Sequence, residues 1–392
     1  MMNQFAGRFD GISGSAIREI FKLLANPDII SFAGGNPSAD SFPKEALAEI
    51  AKTALLENGE WILQYGPTKG YAPLMEEILK MMAEQGVKAE LSNILITSGS
   101  SQGLEMMAKT FINKDDVILV ESPTFLGAIQ TFKTYEAKLE PVKTDDGGIV
   151  LVDLEKQIKT HKPKFLYVIP TFQNPTGVTL AGDRRKRLVE ICSENGVKVL
   201  EDDPYGALRY SGDALPSLKS YDTDNSVIRL FSFSKIISPG IRVGAAIGDA
   251  EIISKFELCK QGMDVHTPTL NQVMVYEYLK SGQLPAHIKQ ISADYKKKKD
   301  LMLKCIKDTL PKEVSVAPCE GGLFLWLTLP EGVDALDVFK KAVEKNVAFV
   351  PGTHFFAEGG HENTLRLNFS MESEENIQKG MATLAEVIKD AL

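Results

Sequence analysis

The sequence predicts an α/β protein: a doubly wound, mostly parallel sheet in a large domain, joined to a smaller α+β domain. Three observations lead there. Between about residues 90 and 250, short apolar runs alternate with helix-like segments, the pattern of parallel strands linked by crossover helices. Beyond residue 283 the alternation gives way to longer amphipathic helical stretches around two strand-like runs. A chain of 392 residues also exceeds one small core, which makes two domains the expectation. We place the large domain at 41–282 and the small one at 283–392, with 1–40 as an arm or a part of the small domain.

The expected strands of the large sheet are 94–97, 117–120, 165–169, 197–200 and 227–231. Each is a run rich in Val, Ile, Leu or Phe, and a turn signal or polar residues follow each one. In the small domain, 294–309 reads as a helix, 321–327 as a buried strand and 335–345 as a helix. The alternating Leu365-Arg366-Leu367-Asn368-Phe369 reads as a strand, and 373–392 as a closing amphipathic helix. No internal repeat or low-complexity linker interrupts the chain.

Composition narrows the function classes. Hydrophobic residues make up 44% and charged residues 24%, as in ordinary globular proteins. The net charge of -8 and the pI near 5.4 argue against a general nucleic-acid binder. The run Lys296 to Lys299 fits a solvated helix face. The start of the chain has no signal-peptide pattern, and no apolar run is long enough to span a bilayer, so no membrane partner is expected. Four scattered cysteines make a disulfide framework unlikely and a reducing cytoplasm the expected home. Five dispersed histidines without a His-Glu-x-x-His motif give no basis for a metal site.

In doubly wound sheets, ligands collect at the carboxyl ends of strands, and there this chain places its polar motifs. The run 227–231 leads into Ser232-Phe233-Ser234-Lys235, with Arg242 one loop later. A lysine packed at a strand end is desolvated, loses its proton more readily and can react with a carbonyl. Serines and an arginine beside it suit a phosphate. Together they point to pyridoxal phosphate (PLP). The run 94–97 opens into Ser98-Gly99-Ser100-Ser101-Gln102-Gly103, a small-residue turn at a helix start that suits an anion. Ser100, Ser101 and Gln102 are its candidate phosphate contacts.

That turn also carries a rival reading. Gly99-x-Ser101-x-Gly103 fits the nucleophile elbow of a serine esterase, with Ser101 as nucleophile and His354 or His361 as base. No His-Gly-Gly-Gly segment precedes it, and the esterase leaves the lysine and arginines unexplained.

Three further strand ends matter. Phe125, after 117–120, is placed to stack on a planar ring or to join the core. Asn174, in Asn174-Pro175-Thr176-Gly177, is fixed by a proline turn and offers a donor to a phenolate-like oxygen. Asp202, in Glu201-Asp202-Asp203-Pro204-Tyr205, offers a carboxylate able to keep a pyridine nitrogen protonated, with Tyr205 nearby. Arg366 lies in an apolar strand and needs an anionic partner, either a substrate carboxylate or an acidic side chain.

Together these residues resemble the fold-type I PLP-dependent aminotransferases of class I/II, in the family's order and over nearly the whole chain. The resemblance implies that Lys235 is the Schiff-base lysine and the base at the substrate Cα. Ser232, Arg242, Ser100, Ser101 and Gln102 would bind phosphate, and Phe125 would stack on the ring. Asn174 and Tyr205 would bond the ring oxygen, and Asp202 the pyridine nitrogen. Arg366 would take the substrate α-carboxylate, with Gly35 and Asn174 also at the substrate. Tyr65 would reach the phosphate of a partner subunit, which implies a homodimer with shared active sites.

Ala16-Ile17-Arg18-Glu19-Ile20 and Ile30 to Pro37 are most similar to the 2-aminoadipate, kynurenine and aromatic aminotransferase group. This implies 2-oxoglutarate as amino acceptor. It also implies that Arg18 meets the distal carboxylate of acidic substrates. Related regulators carry a DNA-binding segment in front of this domain, which is not expected here. A PLP-dependent β-elimination lyase shares the first proton transfer and stays open as an alternative.

Overall fold

The computed structural model describes residues 5–9 and 28–392. The predicted substrate residue Arg18 lies outside them. The first strand, β1 (Ile30–Ser31), is short, and α1 (Lys44–Ile62) and α2 (Ala72–Glu84) follow. The large sheet then begins with β2 (Ile94–Thr97), α3 (Ser100–Phe111), β3 (Val117–Ser122), α4 (Leu126–Thr134), β4 (Lys138–Asp145) and β5 (Gly148–Ile149). It continues with α5 (Leu151–His161), β6 (Phe165–Val168), α6 (Gly182–Glu194), β7 (Lys198–Asp203), β8 (Val227–Ser232) and β9 (Gly244–Ile247). Eight strands pair in the order β2-β9-β8-β7-β6-β3-β4-β5. The inner pairs from β8 through β4 are parallel, as the alternation predicts.

The departure is β9, which runs antiparallel to both β8 and β2. The loop through Lys235 and Arg242 reverses the chain there, so this strand needs no crossover helix. β4 was not predicted either. It is half-exposed with a polar sequence, KLEPVKTD, and carries no apolar run. All six residues of β8 are buried, and β3 and β7 are buried except at their two end residues.

The helices α7 (Ala250–Gln261), α8 (Thr269–Lys280) and the long α9 (Leu284–Thr309) lead into a second, four-stranded sheet. Its strands are β10 (Ser315–Val316), β11 (Phe324–Thr328), β13 (Val350–Pro351) and β14 (Thr364–Asn368), in the order β10-β11-β14-β13 and antiparallel throughout. The helix α10 (Ala335–Glu344) is capped by Asp334, whose side chain accepts the Leu336 N–H. β12 (Val347–Ala348) pairs in parallel with β1, so the segment at Ile30 joins this part of the molecule. The closing helix α11 (Glu374–Lys389) is capped by Ser373.

Two boundaries differ from the sequence expectation for physical reasons. The predicted strand at 321 starts at Phe324, because Gly322 has φ +71° and folds over Phe172. The strand predicted to stop at Leu200 continues to Asp203. Three successive acids can lie in a buried strand because each finds its own use. Glu201 accepts the Leu218 and Lys219 N–H groups, Asp203 pairs with Arg229 at 2.7 Å, and Asp202 faces the cavity described next.

Candidate active site

The carboxyl ends of β2, β3, β6, β7 and β8 converge on a cavity of about 510 Å³. Gly35, Ser100, Ser101, Phe125, Asn174, Asp202, Tyr205, Ser232, Lys235, Arg242 and Arg366 all line it. These positions span more than 330 residues of sequence, from Gly35 to Arg366.

Lys235 follows β8 in a short 3-10 turn, and Ser232 caps that turn by accepting the Ser234 N–H. Its Nζ donates to the Gly35 carbonyl at 2.8 Å. Among the described residues no carboxylate pairs with it. Burial, with Arg366 and Arg242 nearby, pulls its pKa down to about 8.

Asp202 is buried near the end of β7. One oxygen accepts the Tyr167 hydroxyl at 2.9 Å, and the other, Oδ1, has no hydrogen-bond partner. Burial raises its pKa to about 7. Asn174 bridges two other groups: its amide donates to Tyr205 Oη at 3.4 Å, and its oxygen accepts Arg366 Nη1 at 2.8 Å. The turn that holds it is fixed by Gln173, whose Oε1 accepts both the N–H and the hydroxyl of Thr176.

Arg366 sits in the middle of β14, in register with Trp326 on one side and Val350 on the other. Its guanidinium lies over Phe324 and Phe355, 4.2 and 5.0 Å from their ring centres, and Nη2 donates to the Ala33 carbonyl at 2.7 Å. Its Nε has no partner, and no acidic side chain among the described residues pairs with it. Burial lowers its pKa to about 10. The ion pair that would make this arginine purely structural is therefore not formed among the described residues.

At the start of α3, Gly99 has φ +85°, and a Cβ there would lie 2.4 Å from Arg242 Nη2. That arginine packs on the turn and donates to the Ser98 carbonyl at 2.5 Å. The close approach leaves Ser100, Ser101 and Arg242 on one wall.

One predicted contact does not reach the cavity. Gln102 turns away from it, because its amide is engaged by Ser98 N–H, Lys260 and Asp264. As a side-chain contact to the phosphate, Gln102 is corrected to a supporting role. Tyr65 is 80% exposed and lies edge-on to His266, off the cavity of its own chain. The esterase constellation is not assembled either. No histidine lines the cavity beside Ser101, and His361 is stacked on Phe356 at 3.9 Å.

Sequence reasoning missed Tyr167, Phe355 and Gln130. The first looks like any buried strand aromatic. Phe355 and Gln130 sit in a loop and a helix that carry no local signal, and only the fold brings them to the cavity.

A large mixed α/β sheet with a half-buried lysine and a buried aspartate and arginine around one cavity defines the class, and comparison with known proteins agrees. The model of the aminotransferase class I and II family matches residues 27–384, and the chain belongs to this family. It is 43% identical over 396 residues to an aromatic-amino-acid aminotransferase of Thermococcus litoralis, covering 99% of this chain and 94% of that one. It is also 43% identical to a 2-aminoadipate transaminase of Thermus thermophilus, over 99% and 96% of the two chains. The solved kynurenine aminotransferase of Pyrococcus horikoshii, in complex with PMP, superposes with a TM-score of 0.96 at 41% identity, over 99% and 98% of the chains. The protein is an aminotransferase, its cofactor is pyridoxal 5'-phosphate, and its substrates are amino acids and oxo acids. Among the described residues no helix is long and apolar enough to cross a membrane.

Proposed function

We propose that the enzyme moves the amino group of an L-amino acid of the 2-aminoadipate, aromatic or branched-chain type to 2-oxoglutarate, with Lys235 as its Schiff-base lysine. One observation carries this reading: around a single cavity, the half-buried Lys235 and the buried Arg366 have no counter-ion among the described residues, and Asp202 Oδ1 is buried without a partner. Folding alone favours pairing such groups, and open ones cluster where a charged ligand completes them.

The same orphaned atoms fit the cofactor. Pyridoxal phosphate supplies an electrophilic carbon and a ring that takes up charge from the substrate Cα. Asp202 would hold the pyridine nitrogen protonated, and the cationic ring would in turn keep Asp202 ionised. Asn174 and Tyr205 would bond the ring oxygen, and Phe125 would pack on the ring face. Ser100, Ser101, Ser232 and Arg242 would hold the phosphate, helped by the N–H groups that open α3. Arg366 would bind the substrate α-carboxylate in its planar fork, with Asn174 and Gly35 beside it. Lys235, deprotonated in part near pH 8, would take the Cα proton on Nζ.

The exposed Tyr65 supports a homodimer in which this ring reaches the partner's phosphate. Arg18 keeps its proposed role at a distal carboxylate, and the domain limits 41–282 and 283–392 are retained as proposals.

The test is a donor panel with purified holoenzyme and 2-oxoglutarate: 2-aminoadipate, phenylalanine, kynurenine and leucine. Glutamate should form with at least one donor. No glutamate from any donor, with ammonia released from β-substituted amino acids instead, would replace this reading with an elimination lyase.

A further inference from the structure

Behind the turn that opens α3 stands a lysine that the reaction does not use. Lys260, in the last turn of α7, is fully buried. Its Nζ donates to Gln102 Oε1 at 2.7 Å, and to Thr267 Oγ1 and both carboxylate oxygens of Asp264 at 3.0 Å. The three hydrogens of an ammonium are thus directed into three side chains.

Each of those side chains grips Ser98. Gln102 Oε1 accepts the Ser98 N–H at 2.9 Å, and Asp264 Oδ2 accepts the Ser98 hydroxyl at 2.8 Å. Thr267 Oγ1 lies 3.1 Å from the same hydroxyl. Asp264 Oδ2 also accepts Gln102 Nε2 at 2.8 Å, which closes the network. Ser98 in turn carries Arg242 on its carbonyl. The wall that carries Ser100, Ser101 and Arg242 therefore hangs from one residue that Lys260 and its partners fix.

The same segment reaches a second loop. A carbonyl only accepts, so His266 Nδ1 must carry its proton toward Thr267 O, at 2.9 Å. Nε2 is then free to accept the Gly66 N–H, at 3.1 Å, next to Tyr65. Between Asp264 and His266, Val265 has φ +66°, a left-handed conformation that a β-branched side chain rarely adopts. Such strain persists where the surroundings over-determine the backbone.

We propose that Lys260 is a positioning residue for the cofactor phosphate: through Gln102, Asp264 and Thr267 it fixes the Ser98 turn and Arg242 in the geometry the phosphate needs. The proposal rests on the reading that Ser100, Ser101 and Arg242 hold that phosphate. The ion pair with Asp264 leaves little net charge, so Lys260 acts by geometry and not by field. A buried pair of this kind adds conformational specificity more readily than stability.

The experiment compares holoenzymes of the wild type and of Lys260→Met, Asp264→Asn and Arg242→Met. It reads the PLP dissociation constant, the ³¹P resonance of bound PLP, and kcat at saturating PLP. Lys260→Met should weaken PLP by at least about tenfold, the scale seen for groups that support metal ligands, and shift the ³¹P line. Its kcat at saturating PLP should stay within about twofold of wild type, because the displaced contacts are remote from the reacting carbon.

Asp264→Asn should show the same split to a smaller degree, and it decides the matter if Lys260→Met does not fold. Arg242→Met must weaken PLP. If it does not, the phosphate reading fails. If it does, while Lys260→Met and Asp264→Asn leave affinity and the ³¹P line unmoved, the positioning role is overturned. A loss of thermal stability alone overturns it as well.

Discussion

Lys235 is half-buried and Lys260 fully buried, and the two are treated in opposite ways. Lys260 bonds Gln102, Thr267 and Asp264, so its charge is matched. Lys235 has one carbonyl, that of Gly35, and two arginines for neighbours. Burial lowers both pKa values, but for Lys260 the carboxylate of Asp264 works against the shift, while for Lys235 the nearby cations add to it. Matched burial belongs to architecture. Unmatched charges gathered around one cavity suit chemistry, because a charged ligand can complete them there. Asp202 and Arg366 repeat the pattern of Lys235, and Asp203 with Arg229 repeats the charge pairing of Lys260, although Arg229 Nε and Nη1 have no partner.

The comparison breaks first at Lys235. Lys235→Ala should cut transamination by at least about 10³-fold while leaving the far-ultraviolet circular dichroism intact, since a positioned base alone is worth about 10²–10⁴. Substantial turnover in this variant would place the reactive amine elsewhere.

Asp202→Asn comes next. The variant should still bind PLP. Losing one partner of a buried charged pair costs about 3–5 kcal/mol, and each ~1.4 kcal/mol is tenfold, so single-turnover rates should fall roughly 10²- to 10³-fold. Near-normal rates would mean that the unpartnered Oδ1 faces nothing of consequence.

Arg366→Lys keeps the charge but loses the planar fork. It should lower kcat/KM for amino acids about ten- to a hundredfold, the worth of a charge-assisted bond of ~1.5–3 kcal/mol. Discrimination against amines that lack a carboxylate should shrink in step. An unchanged ratio would return Arg366 to a structural role.

Glu121 gives the smallest effect and sharpens the rule. It is buried on β3 without a cation among the described residues, yet it lies off the cavity, bonded to the Ile169 N–H at 2.9 Å. Burial raises its pKa from 4.5 to about 8. Between those values the folded chain holds a proton that the unfolded chain releases, so this contribution to stability is lost as pH rises toward 8. Glu121→Gln should unfold at about the same denaturant concentration as wild type near pH 5 and at a clearly higher one near pH 8. Equal midpoints at both pH values would show that Glu121 ionises at no cost.

Much of this was legible in the sequence, and the limits are physical. Lys235, Asp202 and Asn174 stand at or just beyond strand ends, Arg366 stands inside an apolar strand, and the cavity collects all of them. The alternation of apolar runs foretold the parallel part of the large sheet. It did not foretell β9, because reversal at the Lys235 loop is a tertiary event, or β4, whose half-exposed residues carry no apolar run. Gln102 was misread for a related reason. A polar side chain at a helix start can face the ligand or the scaffold, and the scaffold partners Lys260 and Asp264 lie about 160 residues away. Phe355 and Tyr167 carry no signal at all, since their roles exist only once two distant segments meet.

The most direct measurement is borohydride reduction of the holoenzyme followed by peptide mapping. Lys219, Lys260 and Lys299 are buried and Lys235 is half-buried, and of these only Lys235 lines the cavity. The account predicts the reduced pyridoxyl group on Lys235 alone, in the peptide that spans β8 and the loop to Arg242. Label on Lys260 or any other lysine, or no label in a protein that retains transaminase activity, would contradict it.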